Sequence, residues 1–62
     1  MSTTRPAVEA YIRRLENPLT QSYAADYYAY RLGLRPEPAA PPSLDWSEAE
    51  LVCLHIDGLF DR

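Results

Sequence analysis

Residues 43–60 read SLDWSEAELVCLHIDGLF, a helix with a marked start and apolar side chains around most of its circumference. Ser47 and Glu50 stand at capping-box spacing: the serine hydroxyl accepts from the Glu50 amide, and the glutamate reaches back to the Ser47 amide. Trp46 and Leu51 then fall at the two positions of a hydrophobic staple. Asp45 with Glu48 offers the same pattern two residues earlier, so the start is fixed only to that interval. Gly58 is the expected stop, with Leu59 folding back onto Leu54. At ~100° per residue, Val52, Ile56, Leu59 and Phe60 form one broad stripe with Cys53 beside it, while Leu51 and Leu54 lie outside it. A helix apolar on more than one side is ordinarily covered from more than one side.

Upstream of this stretch, Leu34 to Ser43 contains Pro36, Pro38, Pro41 and Pro42. Such a run favours extended, polyproline-like backbone and acts as a semi-rigid spacer. It leads the third helix either back across the preceding chain or out to another molecule. Before it, Tyr23, Tyr27, Tyr30 and Leu34 share one helical face, and Ala24, Tyr28 and Leu32 share another. Thr20 is the expected cap of that helix, and Gly33 its terminator. Val8, Tyr11, Ile12 and Leu15 follow i, i+3, i+4, i+7 in a first helix. Thr3 or Thr4 caps it, Pro6 sits in its first turn, and Glu9 pairs with Arg13. Asn17-Pro18 ends it, because the residue before proline avoids helical geometry.

The expected fold is therefore all-α, one small three-helix domain over residues 1–62. Its helices span roughly residues 5–16, 20–32 and 46–58, the first two forming an antiparallel hairpin and a Pro-rich connector (34–43) leading to the amphipathic third.

A chain of 62 residues buries only about 60% of its unfolded surface and usually needs a staple. Cys53 is its one cysteine, which rules out an internal disulfide and suits a reducing, cytoplasmic setting. The opening Met-Ser-Thr-Thr-Arg-Pro-Ala lacks the apolar core of a secretory leader, and no apolar run approaches the ~20 residues of a membrane span. All six basic residues are arginine, and with the abundance of Ala, Pro and Leu this suggests GC-rich coding in a bacterium or phage. Oligomerisation or a partner protein is left as the expected staple.

Charge is uneven. Residues 1–35 carry Arg5, Arg13, Arg14, Arg31 and Arg35 against Glu9, Glu16 and Asp26; residues 36–62 carry Glu37, Asp45, Glu48, Glu50, Asp57 and Asp61 against Arg62 alone. The whole chain stands at −3. Halves of opposite sign steer association more than they strengthen it.

Cys53, His55 and Asp57 invite a metal reading, but His55 points roughly 160° from Cys53 on a helix. Zinc needs about four convergent ligands. A packed, inert Cys53 and an ordinary His55 on the polar side with Glu48 are the expected roles; neither a metal nor any other cofactor is expected. No nucleophile–base spacing or Gly-rich phosphate loop is present, and a chain this short scarcely forms a water-excluding pocket. Enzymatic activity and a small-molecule substrate are therefore not expected. The acidic second half is no denser in carboxylates than an ordinary solvated surface, which argues against DNA mimicry.

The expected function is non-catalytic protein binding, as a regulator, inhibitor or assembly subunit of a larger complex. The partner is another protein or a second copy, and the membrane has no part. The expected anchors are Trp46, Leu51, Ile56, Leu59 and Phe60 on the third helix, with Tyr23, Tyr27 and Tyr30 on the second, since aromatic residues dominate interface energetics. The alternative is a nucleic-acid-facing regulator using Arg13, Arg14, Arg31 and Arg35. The negative net charge and the lack of a basic run place it second.

Overall fold

The computed structural model describes residues 4–61 and is all-α: α1 (Thr4–Arg14), α2 (Pro18–Arg31) and α3 (Trp46–Phe60). Several boundaries follow from local hydrogen-bonding choices, and several differ from the expected ones. α1 stops at Arg14 rather than near Glu16, and a single tighter turn (Leu15 N–H to the Ile12 carbonyl, 3.2 Å) closes it. Asn17 is extended, as its place before proline requires. It does more than end α1: its Oδ1 accepts from the Leu19 amide at 3.0 Å, so Asn17 caps α2 and Pro18 occupies the first helical position. Thr20 is therefore not a cap. Thr4 is already helical, and Thr3, the other candidate cap of α1, lies outside the described residues.

α2 ends in a complete Schellman motif. The Leu34 N–H donates to the Ala29 carbonyl (3.0 Å) and the Gly33 N–H to that of Tyr30 (2.9 Å). Gly33 takes φ 79°, the left-handed geometry only glycine adopts without cost.

α3 begins on the earlier of the two candidate caps. Asp45 Oδ1 accepts from the Ser47 amide at 3.3 Å, which puts Ser47 inside the helix and removes the Ser47–Glu50 box. The Trp46–Leu51 staple goes with it, since both side chains are exposed; Leu44 is the buried residue before the cap. Nor does Gly58 end the helix, which runs on to Phe60. Leu59 is buried in the core beyond it, and that burial, worth ~2 kcal/mol, exceeds the ~1 kcal/mol cost of a helical glycine. Leu54 stays in solvent, so the expected Leu59–Leu54 contact is absent.

Side-chain pairs across the seams give the directions. Tyr23 meets Cys53 and Tyr27 meets Asp57, so residue numbers rise together and α2 and α3 are parallel. Gln21 donates to the Ile12 carbonyl at 3.1 Å and Tyr28 reaches Glu9 at 3.4 Å, so α1 is antiparallel to α2. Tyr11 stacks on His55, and α1 also runs antiparallel to α3.

A parallel pair demands a long return. The 14 residues of α2 rise ~21 Å, and residues 32–45 reach up to ~45 Å when extended. The proline run thus leads α3 back rather than outward. It is pinned at its start by Arg35, whose Nη1 donates to Asp26 Oδ1 at 2.8 Å, and Ala39 and Pro41 then lie beside Leu19, Ser22 and Tyr23.

The three helices enclose one core of Val8, Ala24, Tyr27, Val52, Ile56 and Leu59. Half-buried Ala7, Tyr11, Ile12, Leu15, Tyr23, Tyr28, Tyr30, Cys53 and Phe60 pack around it. The radius of gyration is 11.0 Å, against ~10.6 Å for a compact chain of this length and ~24 Å unfolded.

Candidate protein-binding surface

Two sets of side chains have to be separated: those the helices use on one another and those left over. The first set lies on the α2–α3 seam. Thr20, Tyr23, Tyr27 and Arg31 project from one side of α2 at helical spacing. Because α3 is parallel, each meets its partner in the same order. Thr20 Oγ1 donates to Glu48 Oε1 at 3.0 Å. The Tyr23 hydroxyl and the Cys53 thiol are hydrogen-bonded at 3.2 Å. Tyr27 donates to Asp57 Oδ1 at 2.7 Å, and Arg31 Nη1 reaches the same oxygen at 3.0 Å. The Arg31 guanidinium also stands 5.0 Å above the Phe60 ring, a cation–π distance. Phe60 is flanked in turn by Tyr28, with ring centroids 6.1 Å apart.

This ladder fixes register. A one-turn slip of α3 along α2 would set Thr20 against Leu44 or Val52 in place of Glu48, and a buried polar group without a partner costs ~1–3 kcal/mol. Thr20 shows how little slack exists, being almost wholly buried yet hydrogen-bonded only through Glu48. Thr20→Val, which keeps the shape and removes the hydroxyl, is expected to lower stability by ~1 kcal/mol. Urea denaturation followed by circular dichroism reads this directly; an unchanged midpoint would mean that Glu48 does not hold the threonine.

The phenols carry the imprint of their surroundings. Burial first, then the hydrogen bond to Asp57, raises the Tyr27 pKa far above its ordinary value. Burial first, then the Cys53 contact, pushes Tyr23 up to about 12. Tyr11 and Tyr28 are also raised, chiefly by burial. A raised folded-state pKa means the folded chain holds its phenolic proton more tightly than the unfolded chain does. The resulting stabilisation is present in full below pH ~10, where unfolded tyrosine titrates, and is lost as pH climbs toward 12 and beyond. Alkaline titration is expected to show tyrosinate absorbance rising together with loss of helical signal above pH ~10. Full tyrosine ionisation near pH 10 with the helices intact would contradict it.

Of the expected anchors, Tyr27, Ile56 and Leu59 are therefore corrected. They are buried in the chain's own core and present no surface to a partner. Tyr23, Tyr30 and Phe60 are half-buried; Tyr23 and Phe60 are held in the seam, and the Tyr30 ring lies 5.7 Å from that of Tyr27. Cys53 and Asp57 face α2 while His55 stacks on Tyr11 with ring centroids 4.0 Å apart. Among the described residues no group of three or more His, Cys, Asp or Glu comes together to hold a metal ion.

The second set is what remains outside. Trp46 is 74% exposed, Leu51 66%, Leu54 60% and Leu34 71%. Leu51 and Leu54 share a stripe of α3 with exposed Ser47 and Gly58, on the opposite side from Val52, Ile56 and Leu59. Trp46 stands at the start of α3 above an open groove of about 290 Å³ lined by Tyr23, Ala40, Trp46, Ala49, Glu50 and Cys53. Leu54 and Leu34 are the two exposed residues not among the expected anchors. For Leu54 the signal was present, since it falls outside the core stripe just as Leu51 does. Leu34 looked like a continuation of the Tyr23–Tyr27–Tyr30 face, which the Gly33 turn interrupts.

No protein-family model, curated protein or solved structure matches the chain. Among the described residues no helix is long and apolar enough to cross a membrane.

Proposed function

We propose that this chain is a small non-catalytic protein-binding module, a regulator, inhibitor or assembly subunit that docks on a larger protein. One observation carries the reading. The core closes without Trp46, Leu51 and Leu54, and three large apolar side chains of a single helix remain in water. Leu51 and Leu54 are neighbours on one stripe at i, i+3, and adjacent apolar exposure of that kind on a small chain marks an interaction surface. The shallow relief supports a non-catalytic role: the groove beside Trp46, about 290 Å³, and the one between Tyr11, Arg14 and His55, about 310 Å³, are both open to solvent and lie at the bottom of the size range of small-molecule sites. For the nucleic-acid reading, Arg31 and Arg35 are occupied by Asp57 and Asp26, which leaves Arg13 and Arg14 of its four arginines for phosphates, too few for strong binding by a chain of net charge −3.

The test is affinity capture from host cells, with the parent chain and a Trp46→Ser, Leu51→Ser, Leu54→Ser variant in parallel. A discrete protein held by the parent at defined stoichiometry and lost by the helical, folded variant is the expected result. No difference between the two chains would contradict the reading.

A further inference from the structure

The outer stripe of α3 says more about its partner than that it is apolar. Ser47, Leu51, Leu54 and Gly58 follow i, i+4, i+7, i+11 and so form one line along the helix. Its centre is two large side chains and its ends are small. Nothing lies within 4 Å of where a Gly58 Cβ would stand, so a second backbone has room to approach closely there. Glu50 and Asp61, both exposed, border the stripe on one side. Neither forms an ion pair among the described residues. Trp46, largely exposed, stands one turn before Glu50 on that same side, and an indole is the aromatic ring best suited to a cation. Between Trp46 and Phe60 there is no lysine or arginine, and the one histidine, His55, borders the stripe on the other side and is stacked on Tyr11.

We propose that this face binds a basic amphipathic helix of another protein. Leu51 and Leu54 would contact its apolar stripe, while Glu50, Asp61 and the Trp46 ring would receive its Arg or Lys side chains. The proposal rests on the protein-binding reading above and adds the surface and the partner's chemistry. A helix suits the site because α3 offers a single convex ridge with a small residue at each end, which can seat in the groove between side-chain ridges of another helix at an interaxial distance of ~8–10 Å. Basic residues suit it because Glu50 and Asp61 have no ion-pair partner among the described residues, and complementary charge selects the partner and speeds the encounter.

A second copy of this chain fits less well from either side. Packing α3 on α3 would set two acidic borders against each other with only His55, already stacked on Tyr11, as a base on either helix. The outer positions of α1 (Pro6, Ala10, Arg13 and Arg14) supply positive charge, but no side chain among them is apolar and large enough to cover two leucines.

The probe is a pair of synthetic helical peptides of about 18 residues, long enough to form helix on their own. Both carry leucine at i, i+3, i+4, i+7; one has arginine and the other glutamate at the flanking positions. Backbone amide NMR shifts locate binding on the intact chain, and Trp46 fluorescence measures it. The arginine peptide is expected to bind at least ~10-fold more tightly than the glutamate peptide at low salt, a preference that shrinks as salt screens the charges. Shifts should centre on Leu51, Leu54 and Gly58. Glu50→Arg with Asp61→Arg should reverse the preference, and because both positions are exposed, this variant still reports if the triple serine variant folds poorly. Equal binding of the two peptides, binding of neither, shifts centred elsewhere, or self-association that buries Leu51 and Leu54 would each overturn the proposal. If the peptides fail while cellular capture still depends on Trp46, Leu51 and Leu54, only the partner's chemistry is wrong. If both fail, the protein-binding reading falls too.

Discussion

Ile56→Ala is expected to lose between about a fifth and all of the chain's folding free energy. Ile56 is fully buried, the largest such side chain, and sits among Val8, Ala24, Tyr27, Val52 and Leu59, contributed by all three helices. Removing that much of a buried aliphatic side chain costs ~2–5 kcal/mol, because the space it leaves refills only in part. A chain of this length has about 3–9 kcal/mol to lose. Urea denaturation followed by far-ultraviolet circular dichroism should show the midpoint falling sharply, or helical signal already reduced in water. A midpoint within experimental scatter of the parent would mean that Ile56 is not the centre of the core.

The second large effect is expected at Asp57. One carboxylate oxygen receives both the Tyr27 hydroxyl at 2.7 Å and the Arg31 guanidinium at 3.0 Å. Asp57→Ala leaves the nearly buried Tyr27 phenol with no acceptor and Arg31 with only the Phe60 ring. A hydrogen bond to a charged group is worth ~1.5–3 kcal/mol, so a loss of about 2–3 kcal/mol is expected. Tyr27→Phe removes the donor but leaves Asp57 with Arg31, and should cost less than Asp57→Ala. A double-mutant cycle separates the shared part: the losses at Tyr27 and Asp57 should be strongly non-additive. Additive losses would show that the 2.7 Å contact contributes nothing in solution.

These two sites show which parts of the molecule were legible in the sequence. Periodicity separated Val52, Ile56 and Leu59 from Leu51 and Leu54, and the structure buries the first group and exposes the second. It separated two faces of α2, and both are used, Tyr23 and Tyr27 against α3 and Tyr28 toward Glu9 of α1. The Gly33 stop was equally readable, because a positive φ at a helix end is a local demand. Gly58 was misread because its continuation depends on Leu59 finding a core that no local pattern describes.

Asn17 and Thr20 were misread for a related reason. Both are good caps, and only the Pro18 ring, fixed in φ and lacking an amide, decides that Asn17 serves. Thr20, set free of capping, becomes a buried donor to a carboxylate 28 residues away. The parallel α2–α3 pairing was not legible at all. A proline-rich connector permits either a return or an excursion, and the choice is made by Arg35 on Asp26 and by the polar ladder from Thr20 to Arg31. That pairing is also what withdraws Tyr27 from any interface and leaves the exposed apolar area on α3 to Trp46, Leu51 and Leu54.

α3 thus has two apolar sides with different fates, one spent on its own chain and one open to water. The most direct measurement is the unfolding free energy of the Leu51→Ser, Leu54→Ser double variant in dilute solution. It is expected to stay within ~0.5 kcal/mol of the parent for each substitution, as exposed positions do. A fall as large as that of Ile56→Ala would show that the two leucines are already covered in solution, and that the outer face of α3 is not open for a partner.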